Sequence, residues 1–166
     1  MRARIGAWAL APLLLACGGA APAAPTAPTA AGGATAAEGT PEHCLAVAGA
    51  KHERQPGEPE KITVKHVLVK YAGSKRAPAT VTRTREQACL RAEEARKQLE
   101  KGMPFADVVK TYSEEPGAAT REGSLGAIGR GTLVPAFADA AFELHAGEVS
   151  QVVETDFGFH VILRAE

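Results

Sequence analysis

The 166-residue chain lacks an excess of either charge: 19 Lys and Arg are matched by 19 Asp and Glu. That balance excludes a general nucleic-acid-binding role, because no basic field is present to release counterions from a phosphate backbone. Aromatic residues make up only 5% of the chain, too few for a platform that stacks single-stranded bases. No Ser or Cys sits in a nucleophile motif, which sets aside the familiar hydrolases. No motif points to a cofactor, and the histidines and acids show no complete ligand set for a metal. Cysteine is limited to Cys17, Cys44 and Cys89. The length suits one ordinary domain.

What is present begins with an address. Residues 1–17 read MRARIGAWALAPLLLAC: Arg2 and Arg4 form a basic start, and the apolar run 5–15 is too short to span a bilayer. Leu14-Leu15-Ala16-Cys17 resembles a bacterial lipobox, which implies a signal peptide over 1–16 and lipidation of Cys17. The plainer reading is an ordinary secretory signal with an incidental cysteine. Gly18, not Asp, follows Cys17; for such lipoproteins this implies sorting to the outer membrane, with the domain on the periplasmic side. Residues 19–40 carry Ala, Pro, Thr and Gly without hydrophobic period and read as a tether. The linker as a whole, 17–60, has a coil reach of about 35 Å. Within it, CLAVAGA at 44–50 is less tether-like and suggests a short arm.

In an oxidising compartment Cys44 and Cys89 would remain as a pair once Cys17 is lipidated. Cys89 falls on a predicted helix whose stripe is Ala88, Ala92, Ala95 and Leu99. Cys89 lies about 100° off that stripe and Leu90 about 200° off it. An arm pinned by a Cys44–Cys89 disulfide and covering Leu90 explains both positions; two free, partly buried thiols is the alternative.

The globular part is expected over 61–166. KITVKHVLVKY at 61–71 alternates as a strand, with Ile62, Val64, His66, Leu68 and Lys70 on one face and Val67 and Val69 on the other. Apolar residues on both faces predict an inner strand. Thr84 and Gln87 have the form of a capping box opening a helix that stops near Gly102. Pro104 opens a second, with Phe105, Val108, Val109 and Tyr112 inward. A loop with one helical turn is expected over 113–123, a short strand over 124–131, and a helix over 135–144. Strands at 149–154 and 159–163 follow, with a bend between. The order β, α, α, short α, β, α, β, β predicts an α+β domain, a small sheet covered by helices.

The stretches KHVLVKY, TRTREQA, MPFADVVKTYS, GSLGAIGRG, FADAAFEL and GEVSQVVETDFGFHVILRAE carry a resemblance. Taken in order and at their spacing across 61–166, they resemble a parvulin-type peptidyl-prolyl cis/trans isomerase domain. The resemblance implies a four-stranded antiparallel sheet surrounded by about four helices. It implies a catalytic set of His66, His160, Thr155 and Glu115, the histidines organising the site's hydrogen bonds. Lone mid-strand histidines are also common as purely structural groups. Glu115 stands where the family carries Cys or Asp, so charge is kept and one methylene is added. Leu125, Leu133 and Phe137 match the lining of the proline pocket; core packing is the competing reading. Lys70, Lys75 and Arg76 match a basic cluster that grips a phosphate before the proline in phospho-specific parvulins; because phosphoproteins are uncommon in a periplasm, a preference for an acidic residue before proline is expected instead, against three solvated loop charges. The implied partners are proline-containing unfolded or exported polypeptides, and the membrane through the lipid anchor. The domain is expected to be a monomer without cofactor, metal or nucleic acid. Two functions stay open: an isomerase assisting the folding of exported proteins, and a non-catalytic peptide-binding chaperone of the same fold.

Overall fold

The computed structural model describes residues 37–166. The signal segment and Cys17 lie outside these residues. In chain order the elements are α1 (Pro41–Ala48), β1 (Lys61–Val69), α2 (Arg85–Glu100), α3 (Phe105–Tyr112) and β2 (Ser124–Gly129). A single 3-10 turn, Arg130–Thr132, leads into α4 (Pro135–Glu143), β3 (Val153–Thr155) and β4 (Gly158–Arg164).

The four strands are all antiparallel, in the order β2-β1-β4-β3. The alternation in β1 divides the core in two, as the two-residue period requires. Val67 and Val69 face α1–α3 and pack with Ala88, Ala92, Val108, Val109, Phe159 and Val161. Ile62 and Val64 face α4 and pack with Phe137, Ala141, Phe142 and Ile162. β1 is therefore an inner strand, buried on both faces.

Local signals set the helix ends. At α2, Thr84 Oγ1 accepts from the Gln87 N–H and the Gln87 side chain accepts from the Thr84 N–H, closing the capping box. Gly102, at φ +88°, turns the chain out of the helix.

α1 is the element the composition conceals. The expected arm is a helix, with Thr40 as N-cap accepting from the His43 N–H at 3.3 Å and Pro41 in the first turn. Its buried Cys44 is joined by a disulfide to Cys89 of α2, with the Cα atoms 6.0 Å apart. Leu45 and Leu90 are both partly buried against the same core.

Two expected elements differ. Residues 113–123 form a series of turns and no helix, with Gly117 at φ +76° interrupting the helical path. The strand expected at 149–154 is confined to β3. Its first half is diverted at Ser150, whose Oγ accepts from the Ile162 N–H (2.9 Å) while its own N–H donates to Ile162 O (2.8 Å).

Gly123 fastens these turns to β1. Its carbonyl accepts from the His66 N–H at 2.9 Å, and its φ is +74°. A Cβ there would lie 2.5 Å from His66 O, so a side chain would separate the loop from the strand at the histidine.

Candidate active site

The strand register brings the two histidines together. Leu68 stands opposite His160, and His66 opposite Ile162, so His66 and His160 are diagonal neighbours on the α4 face. Their rings lie near-parallel with centroids 5.4 Å apart. Phe137 of α4 meets both edge-on, at 5.5 and 5.2 Å. All three are buried.

A continuous hydrogen-bond chain runs through them. The Phe157 N–H donates to Thr155 Oγ1 (3.1 Å), and Thr155 Oγ1 lies 2.8 Å from His160 Nε2. His160 Nδ1 is 3.2 Å from His66 Nδ1, and His66 Nε2 is 2.7 Å from Glu115 Oε2. Arg121 pairs with the same Glu115 oxygen. One assignment satisfies every link with both rings neutral. The Thr155 hydroxyl donates to His160 Nε2, His160 Nδ1–H donates to His66 Nδ1, and His66 Nε2–H donates to the carboxylate. Protonating His66 would reverse the two inner links.

Burial pushes the His160 imidazole well below its ordinary value of 6.5, and the neighbouring His66 pushes the same way. The unfolded chain therefore takes up a proton below pH 6.5 that the folded chain refuses, and stability falls as pH drops through that value. Urea unfolding of the full chain should show its midpoint declining from pH 6.5 downward, with the decline reduced in His160→Gln. Parallel pH slopes for the two proteins would contradict this assignment.

Glu115 moves the other way from burial. The hydrogen bond from His66 holds its carboxyl below the usual carboxylate range; burial opposes this, and the Arg121 guanidinium adds to the lowering by its charge and its hydrogen bond. The extra methylene thus leaves the carboxylate within reach of His66.

These groups border a cleft of about 570 Å³. Of the residues singled out from the sequence, His66, His160, Glu115, Leu125, Leu133, Phe137, Lys70 and Arg76 line it. Leu125 reaches it through a bulge: Val64 pairs with Gly126 and Lys65 with Ser124, leaving Leu125 unpaired between them. Thr155 lies behind His160 and faces a neighbouring recess of about 380 Å³.

Of the three expected cations, Lys70 and Arg76 line the cleft and Lys75 does not. Lys70 is buried, and its ammonium donates to Arg76 O at 2.7 Å. Lys75 is exposed and does not line the cleft; its ammonium lies 5.1 Å from the centre of the Phe157 ring, and Arg76 stacks on the same ring at 5.8 Å. The Lys75 N–H donates to Asp156 O (2.7 Å), docking its loop onto the β3–β4 turn that carries Phe157.

Leu68, Val134 and Phe157 also line the cleft and were not picked out from the sequence. Leu68 had a signal, since it shares the His66 face by the strand period. Phe157 had only its place in a bend. Arg121 had none, because its pairing depends on how the turns fold. Among the described residues no group of three His, Cys, Asp or Glu is arranged to hold a metal, and no helix is long and apolar enough to cross a membrane.

Comparison with known proteins places this geometry. The profile of the PPIC-type PPIase domain matches residues 49–165. The putative peptidyl-prolyl cis-trans isomerase dodo of Drosophila melanogaster is 39% identical over 111 residues, covering 64% of this chain and 66% of that protein. The foldase protein PrsA of Geobacillus sp. (strain WCH70) is 48% identical over 71 residues, 43% of this chain and 26% of PrsA. The match thus spans just under two thirds of the first relative and about a quarter of the second. The solved peptidyl-prolyl isomerase ESS1 from Candida albicans aligns with TM-score 0.59 at 29% identity, over 64% of this chain and 63% of that one.

Proposed function

Because the chain belongs to the PPIC-type peptidyl-prolyl cis/trans isomerase family, we propose that its cleft isomerises X-Pro bonds in polypeptides, without covalent attack. The observation that carries the reading is the Thr155–His160–His66–Glu115 chain opening onto an apolar recess.

Uncatalysed X-Pro isomerisation takes roughly 10–100 s, with a barrier near 20 kcal/mol. The barrier is the resonance of the peptide C–N bond, which is lost as the bond twists. A catalyst must therefore bind the twisted amide better than either planar form. Leu125, Leu133 and Phe137 would seat the proline ring and fix one side of the bond. The apolar walls disfavour the polar planar resonance form. The Glu115 carboxylate, held in place and kept ionised, would act electrostatically near the carbonyl. His66, His160 and Thr155 would hold that carboxylate and exclude water from its inner side. Every step uses the chain's own side chains.

Among the described residues Met103 is the one large apolar side chain that is exposed. The apolar surface open to a peptide is then mainly the cleft.

The setting is part of the same proposal. The lipobox-like Leu14–Cys17, the tether and the Cys44–Cys89 disulfide support a domain lipid-anchored in an oxidising compartment, facing exported polypeptides. The family relatives named foldases support a role in folding. Lys70 and Arg76 at the cleft support a preference for an acidic residue before proline.

A protease-free isomerisation assay on short peptides tests this, with the residue before proline set to Glu, Leu or phosphoserine. Acceleration of all three, greatest for Glu, is expected. No acceleration of any would sink the enzymatic reading, and equal rates would remove the role of Lys70 and Arg76.

A further inference from the structure

Resting on the role proposed for Glu115, we infer that Arg121 is a positioning residue of the site, fixing which carboxylate oxygen faces His66 and which is left for the substrate. The geometry is specific. His66 Nε2 and an Arg121 amino group both engage Glu115 Oε2, and Oε1 has no partner among the described residues. One oxygen is thereby occupied from two sides and the other is free. Arg121 does not itself line the cleft; it reaches the site through the Glu115 carboxylate and the Pro116 carbonyl.

The turns after α3 are folded to deliver that guanidinium. The Ala118 N–H donates to Glu115 O (3.1 Å) and the Arg121 N–H to Gly117 O (3.4 Å), curling 115–121 on itself. Arg121 Nη1 donates to Pro116 O at 3.2 Å. A Cβ on Gly117 would lie 3.2 Å from the same Nη1, so the guanidinium rests where a side chain would otherwise stand.

The need is physical. A glutamate carboxylate has one more rotatable bond than an aspartate and samples more positions. A single hydrogen bond from His66 leaves it able to swing about that bond; a second donor on the same oxygen removes the freedom. Preorganised charge is what an electrostatic site requires, because it need not reorient as the amide twists.

The charged groups around Glu115 come from several elements. His66 is on β1 and His160 stands behind it on β4; Lys70 and Arg76 line the same cleft, and Glu114 next in chain is held by Arg83. Of these cations, Arg121 is the one that pairs with Glu115 without itself lining the cleft. Its charge favours the ionised carboxylate, so its loss should let Glu115 take a proton at higher pH.

The test uses the full chain and a Leu-Pro peptide, with kcat/KM followed from acid to neutral pH and thermal melting alongside. Arg121→Ala is expected to lower kcat/KM roughly tenfold at neutral pH. Its acid limb should move to higher pH, with little change in melting temperature. Arg121→Lys should restore part of the rate, since an ammonium supplies the charge without the planar fork. In a Glu115→Gln background, Arg121→Ala should cost nothing further. Wild-type rate and pH profile in Arg121→Ala, beside a slow Glu115→Gln, would overturn the positioning role alone. Full activity in Glu115→Gln would overturn the role of Glu115 and this inference with it.

Discussion

Glu115→Gln should lower kcat/KM for X-Pro isomerisation by about a hundredfold while leaving the fold in place. Glutamine keeps the length of the side chain and a carbonyl oxygen that can accept from His66 Nε2 and Arg121. What it lacks is the negative charge. The substitution therefore separates electrostatic action on the twisting amide from simple filling of the cleft wall. The wild-type carboxyl sits below the usual carboxylate range, chiefly through the His66 hydrogen bond, so it is ionised throughout the neutral region. By linkage, a carboxyl with a lowered folded value stabilises the fold above its unfolded value of 4.5, and that contribution is lost as pH falls through the folded value. Any stability change in Glu115→Gln should accordingly be confined to pH values above the acid range, where the wild-type charge is present. Unchanged turnover across neutral pH would remove the carboxylate from the mechanism. The histidines would then be left as a structural pair.

Reducing the Cys44–Cys89 bond should cost about 4 kcal/mol of unfolding free energy, from the entropy of an unfolded loop about 45 residues long. α1 has eight residues, too few to persist as a helix without its packing partner. The bond ties it to α2, where Cys44 and Ala48 complete the core on the α1–α3 face. Reductant, or the double variant Cys44→Ala with Cys89→Ala, should lower the melting temperature by tens of degrees at most and open residues 41–48 to proteolysis first. The cleft lies on the opposite face of the sheet, under α4. Isomerase activity measured well below the melting temperature should survive the loss. An unchanged melting temperature in reductant would show that α1 holds by packing alone. A parallel collapse of activity would show that the two faces are coupled.

What sequence could reveal followed from periodicity and from local chemistry. The apolar alternation in 61–69 identified an inner strand because each residue's face is fixed by the pleat, whatever surrounds it. The capping box at Thr84 and Gln87 marked α2 because both partners lie within one turn. α1 had comparable signals in Thr40 and Pro41, but a single apolar turn set in an Ala-rich stretch gave little period to detect. The Cys44–Cys89 pairing was legible as one of two readings, from an odd position on a helical stripe.

By itself, then, the sequence determined the α+β class, the inner strand, the positions of α2, α3 and α4 and the residue types available for chemistry. All of these depend on contacts within a few positions along the chain. The tertiary structure decided which of those residues meet. The β1–β4 register set His66 diagonal to His160, and a bulge brought Leu125 into the cleft. The docking of the Lys75 loop onto the β3–β4 turn set that lysine over the Phe157 ring, outside the residues that line the cleft. The turns of 115–121 laid Arg121 on Glu115. Each of these depends on register or on loop closure, which local residue preferences leave open.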